Sequence, residues 1–149
     1  MLFQYAPYPE AGGKTRTADT LVMGAKFETV NYREIPSALL ELDQKIKALM
    51  ESMDTLSVCD FIDEAIKIHH RITVIHPFAE GNGRTARVFL NWMFILKGIP
   101  PVYLKTEQKE EYIEALHIAD SCEDFTKLRE VFYKAVISSY IQLSDFPGL

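Results

Sequence analysis

Residues 76–98 read HPFAEGNGRTARVFLNWMFILKG. Gly81 and Gly83 flank Asn82 where the pattern turns helical, and Gly98 follows its last apolar residues, with Pro100-Pro101 beyond. Those signals predict a helix from near Asn82 to Lys97, stopped by Gly98. Between Ala86 and Leu96 only Arg87 and Asn91 are polar. A helix apolar nearly all round belongs in the middle of a core, so the fold is expected to be built around this one.

Working outward, the neighbouring segments carry the same helical period. A helix capped by Ser37 is expected after Pro36, with apolar positions Leu39, Leu40, Ile46 and Leu49. Another should run from about Ser57 to Ile72 and bury Phe61, Ile62, Ala65, Ile66 and Ile68. A fourth begins after Thr106 and carries Tyr112, Ile113, Leu116 and Ile118. The fifth opens on Ser121-Cys122-Glu123-Asp124, a capping-box pattern, and continues through Leu128, Val131, Phe132 and Ile137. The first 35 positions have another texture. Thr20 to Met23 and Lys26 to Tyr32, around Gly24-Ala25, read as two short strands about a glycine turn. The expected architecture is mainly α, a helical bundle with a small β-hairpin.

The chain has 149 residues, 48% hydrophobic and 25% charged, with a formal net charge of −5. That size suits one domain, with no repeat, linker or low-complexity tract to divide it. The acidic balance argues against a nucleic-acid partner. No apolar stretch reaches the ~18 residues of a membrane span, and the N-terminus lacks a signal-peptide pattern. Cys59 and Cys122 form no metal or redox spacing, so buried free thiols and a cytoplasmic location are expected.

The chemistry concentrates in residues 76–87. Several backbone N–H groups at a helix start have no intrahelical partner, and glycines let them turn toward an anion and let it approach closely. Such a terminus already favours anions. Arg84 and Arg87 stand against the helix dipole, three apart and on one face. Asn91 continues that face. Polyphosphate answers both guanidinium groups. Glu80 would repel bare phosphates, which suggests Mg²⁺ in between. His76, just upstream, has a pKa suited to taking a proton near neutrality. Taken alone, His76 would be a loop histidine and Glu80 a helix-start carboxylate. Together these residues make an inventory for phosphoryl or nucleotidyl transfer. His69 and His70 point in different directions on one helix and are assigned to packing or solvent.

HPFAEGNGRTAR matches every specified position of the signature HxFx[DE]GNGRxxR and so resembles the Fic family. The stretch Gly13-Lys14-Thr15-Arg16 with the following hairpin is similar to the family's flap, and Glu110 to Leu116 to its post-motif helix. The resemblance implies a single Fic domain over 1–149, with the flap region at about 13–35 and a helical core at 37–143. It implies an Mg²⁺-dependent protein adenylyltransferase that moves AMP from ATP to a Ser, Thr or Tyr hydroxyl and releases pyrophosphate. In that scheme His76 is the general base and Phe78 anchors the loop. Glu80 holds Mg²⁺. Gly81, Asn82 and Gly83 cradle phosphates, with Asn82 on the α-phosphate. Arg84 and Arg87 bind the β- and γ-phosphates. Tyr112 and Leu116 wall the adenine. A target protein is held along the flap, Leu21 to Val30, by strand addition.

The same scaffold also carries transfer of phosphoryl, UMP or phosphocholine groups. Gly83, where the phosphotransferase branch departs, favours AMP. A non-catalytic nucleotide-binding toxin partner is the other alternative, and the intact His76 argues against it. Many relatives are silenced by a helix bearing [ST]xxxE[GN], whose glutamate reaches the second motif arginine, here Arg87. Ser37/Glu41, Thr106/Glu110 and Thr126/Glu130 share the first spacing, but Leu42, Glu111 and Val131 break the motif. An inhibitory helix is therefore expected from a separate antitoxin or from a segment outside this chain.

Overall fold

A computed structural model describes residues 12–20 and 28–145. Within them the chain forms five α-helices: α1 (Ile35–Glu51), α2 (Val58–Ile75), α3 (Asn82–Leu96), α4 (Lys109–Cys122) and α5 (Thr126–Ser144). Short 3₁₀ turns at Tyr32–Glu34 and Thr106–Gln108 lead into α1 and α4. The fold is thus mainly α. The hairpin expected over Thr20–Tyr32 falls largely on residues 21–27, which lie outside the described residues, and no strand occurs among those described. Its described limbs do meet, since Thr29 Oγ1 donates to the Thr20 carbonyl at 3.0 Å. Asp19 accepts from Asn31 Nδ2 and the Tyr32 amide, both at 2.9 Å.

The centre of the bundle is α2, not α3. It packs against α1, α3, α4 and α5, whereas α3 rests on α2. The reason is visible in their sides. Ten α2 residues are buried, among them Phe61, Ile66, His69, His70 and Thr73. On α3 only Asn82, Ala86, Leu90, Met93 and Phe94 are buried, while Val88, Trp92 and Ile95 are 66%, 45% and 58% exposed. An apolar periphery therefore did not mean burial all round. On α1 the buried set is Ile35, Ala38, Leu42 and Leu49. Leu40 stays exposed, as do Ile113 and Ile137 further along.

Helix ends follow their local chemistry. Ser57 caps α2 by accepting from the Asp60 amide at 3.1 Å. Gly98, at φ 79°, closes α3: Ile99 N–H bonds the Phe94 carbonyl and Gly98 N–H that of Ile95, the paired pattern of a Schellman stop. Two expected caps are displaced. Ser37 sits inside α1, whose N-cap is Glu34. Ser121 and Cys122 finish α4 rather than open α5. Glu123 turns left-handed at φ 53°, and Asp124 accepts from the Thr126 amide at 2.9 Å. Cys59 and Cys122 are free as expected, but exposed rather than buried. No helix among the described residues is long and apolar enough to cross a membrane.

Candidate active site

The α2–α3 turn carries the signature residues. Pro77 disfavours the helical conformation at the residue before it, and α2 ends with His76 left-handed at φ 50°, ψ 56°. Its amide still bonds the Ile72 carbonyl at 3.0 Å. The ring is half-buried, with Nδ1 3.3 Å from the Thr73 carbonyl. A carbonyl only accepts, so Nδ1 must carry the hydrogen, and Nε2 of the neutral ring keeps its lone pair. Burial holds the His76 pKa below the ordinary value, the Thr73 contact opposes that, and the Arg16 charge adds to the lowering. Burial thus favours the neutral ring, and Nε2 has no partner among the described residues.

Six residues later α3 starts with no side-chain cap. Gly81 stands at φ 83°, ψ 7°, a conformation glycine adopts without strain. The first helical bond runs from the Thr85 amide to the Gly81 carbonyl at 2.8 Å, so the preceding amides have no intrahelical acceptor. Asn82, only 2% exposed, spends its side chain on the turn. Its Oδ1 accepts from the Phe78 amide at 2.8 Å and its Nδ2 donates to the Phe78 carbonyl at 2.7 Å. The loop anchor is therefore Asn82. Phe78 itself is half-buried and lies outside the main apolar cluster.

Gly83 lies in regular helix, and its value is space. A Cβ there would stand 3.3 Å from Arg87 Nη1. Arg87 is half-buried and lays its guanidinium against the Tyr112 hydroxyl, while Arg84 is exposed. Neither is paired with a carboxylate among the described residues. Glu80 is likewise exposed and without an ion pair among them. No group of three or more metal-ligating side chains gathers among the described residues. A divalent cation would then be held by the Glu80 carboxylate plus oxygens brought by its own ligand, which is how Mg²⁺ accompanies polyphosphates.

Tyr112 and Leu116 are core residues, at 6% and 9% exposure. The Tyr112 hydroxyl also meets His69 Nε2 at 3.1 Å, and burial raises its pKa. The Tyr112 hydroxyl is thus placed between Arg87 and His69. Asn91 does not join the arginine face. It clamps Val102, donating to its carbonyl at 2.9 Å and accepting from its amide at 2.8 Å.

Two residues support the site without having been assigned to it: the sequence left His69 to packing or solvent and gave Arg16 no role of its own. His69, fully buried among Tyr112 and Phe132, is the support behind Tyr112. Its pKa falls to about 3, chiefly through desolvation, with the His70 and Arg87 charges adding to it. Arg16 is 7% exposed and donates Nε–H to the His76 carbonyl at 2.8 Å. A lone arginine in a glycine- and threonine-rich stretch carries no signal of burial. Only the likeness of that stretch to the flap hinted at a role.

A model of the Fic/DOC family matches residues 2–94 of the chain. A protein adenylyltransferase of Caenorhabditis elegans, fic-1, is 35% identical over 112 residues, 75% of this chain and 21% of that protein. A probable protein adenylyltransferase of Aquifex aeolicus is 27% identical over 142 residues, 90% of this chain and 42% of that one. The chain thus spans about a fifth to two fifths of the length of these relatives. Among solved structures, Fic-1 (residues 134–508) of C. elegans superposes with a TM-score of 0.75 at 28% identity, covering 92% of this chain and 39% of that one. BepC of Bartonella tribocorum, solved with bound AMPPNP, shares the fold at TM-score 0.70 and 20% identity, covering 85% and 65%.

Proposed function

The chain belongs to the Fic/DOC family, and from that premise we propose that it is a protein adenylyltransferase moving AMP from ATP to a Ser, Thr or Tyr hydroxyl. One observation carries the reading. An uncapped helix start bearing Arg84 and Arg87, neither paired with a carboxylate among the described residues, adjoins a histidine whose Nδ1 is held by Thr73 and whose Nε2 has no partner among them. The first half binds polyphosphate and the second accepts a proton.

The target hydroxyl gives its proton to His76 Nε2 as its oxygen bonds the α-phosphorus. The bond from that phosphorus to the α–β bridging oxygen breaks, and pyrophosphate leaves. Proton removal of this kind is worth roughly 10²–10⁴-fold in rate. The open amides at Asn82 and Gly83, with Arg84 and Arg87, stabilise charge on the phosphates, and they are fixed before the reaction begins. Asn82 serves through its backbone, because its amide side chain holds Phe78. Glu80 would hold Mg²⁺, which neutralises phosphate charge when bound. The target segment would lie along Leu21 to Val30. The curated relatives' names speak for ATP and a protein substrate. A cytoplasmic location suits the two free, exposed thiols.

The test is incubation of the purified chain with Mg²⁺ and α- or γ-labelled ATP, alone and with a cell lysate, beside a His76→Ala control. AMP transfer puts the α label on protein, loses it in the control, and leaves the γ label in pyrophosphate. Protein labelled from γ only would establish phosphoryl transfer instead. A chain that binds ATP and labels nothing would refute the proposal.

A further inference from the structure

Arg16 is a buried guanidinium outside the signature, and its contacts converge on the turn that carries His76. Its Nε donates to the His76 carbonyl at 2.8 Å, and Nη2 donates to the Ile75 carbonyl at 3.4 Å. The backbone amide of the same residue donates to the Pro77 carbonyl at 2.8 Å. Three successive carbonyls at the end of α2 are therefore held by one residue. The other side of the guanidinium takes the preceding limb of the chain. Nη1 donates to the Ala18 carbonyl at 2.8 Å and meets Asp19 Oδ1 at 3.5 Å, while Nη2 also donates to the Val30 carbonyl.

All five guanidinium N–H groups thus have an oxygen in reach, the full donor capacity of the side chain. The arrangement is expensive to leave unmade, since a buried charge without partners is strongly unfavourable. It is also well placed, because the carbonyl end of a helix dipole favours a cation. What it holds is an unusual conformation. His76 is not a glycine, yet sits left-handed, a state that persists only where surrounding contacts impose it.

We propose that Arg16 is the positioning residue for His76: its fork locks the left-handed turn that aims the imidazole and ties that turn to the chain at Ala18 and Val30. The proposal rests on the adenylyl-transfer reading for its rate effect and on the hydrogen-bond geometry for everything else. A lysine would keep the charge but not the planar fork, so it cannot serve both sides at once. Misplacing a catalytic group by about 1 Å costs on the order of 10²-fold in rate.

The experiment is Arg16→Lys in the full chain, with transfer kinetics, ATP titration and backbone and imidazole NMR. The expected result is at least a tenfold lower kcat and ATP affinity within twofold of the parent. His76 and Val30 resonances should shift while those of Gly81 to Arg84 stay in place. An unchanged kcat, an affinity that falls in step with kcat, or unmoved His76 resonances would overturn the proposal. Should the variant not fold, the parent protein decides. Arg16 Nε–H should exchange with solvent at least 100-fold slower than that of the exposed Arg33, and equal rates would overturn the clamp. A parent chain that transfers no AMP sinks the functional reading, and the resonance and exchange measurements then judge Arg16 by themselves.

Discussion

Lowering the pH from 7 to 5 should destabilise this protein, and His69 should account for a defined share of the loss. His69 is fully buried, with Phe132 edge-on at 4.9 Å between ring centroids and the Tyr112 hydroxyl on Nε2. Its folded-state pKa is lowered to about 3, against roughly 6.5 for an unfolded histidine. Between those values the unfolded chain binds a proton that the folded chain refuses, so stability falls as pH drops below about 6.5 and levels off only near the folded value. Integrating from pH 7 to 5 gives a loss of about 2 kcal/mol from this residue. His69→Gln keeps an amide near Tyr112 and removes the titration. Urea unfolding of parent and variant at both pH values isolates the contribution, because His70 and His76, whose pKa values are also lowered, act in both proteins. The parent should lose about 2 kcal/mol more than the variant over that interval. Equal losses would mean that His69 is protonated or solvated in the fold, and the account of its burial would be wrong.

Glu80→Gln should leave the fold intact and weaken the Mg²⁺ dependence of ATP binding, read by calorimetry with and without metal; an unchanged Mg²⁺ titration would leave Glu80 as a helix-start carboxylate only. Asn82→Ala removes both bonds to Phe78 and should cost about 2–4 kcal/mol in chemical denaturation, since each leaves a backbone group less satisfied. A loss below about 0.5 kcal/mol would show that the turn holds without it. Gly83→Ala brings a Cβ within 3.3 Å of Arg87 Nη1, so Arg87 must shift a few tenths of an ångström; ATP affinity should weaken several-fold with little change in stability. Transfer should rise with pH as His76 loses its proton and plateau at neutrality, its midpoint below 6.5 because burial lowers that pKa. A midpoint above the ordinary histidine value in kcat/KM against pH, which reports the free enzyme, would contradict a desolvated base.

Much of this protein is written locally. The uncapped glycine turn, the left-handed Gly81 and Gly98, and the Ser57 cap follow from residue chemistry that acts within a few positions. The helical periods of α2, α4 and α5 were equally legible, as was the family, because a contiguous signature needs no tertiary knowledge. Failures began where two elements had to meet. The apolar periphery of α3 could not reveal that α2 takes the centre and leaves Val88 and Trp92 in solvent, since hydrophobic burial is non-directional and depends on which neighbours arrive. The Ser121 to Asp124 pattern matched a cap, but the chain used it to leave α4. That the Tyr112 hydroxyl meets His69, far away in sequence, could not be read from either residue's neighbours. That the Asn82 side chain is spent on Phe78, leaving only its backbone amide toward an anion, was likewise settled by the fold. Arg16 had no local signal of burial. Its place depends on Ile75, His76 and Val30 presenting carbonyls to one point, and backbone acceptors are the same for every sequence. Local chemistry thus marked the candidate phosphate-binding and proton-accepting groups, and tertiary structure alone decided what holds them.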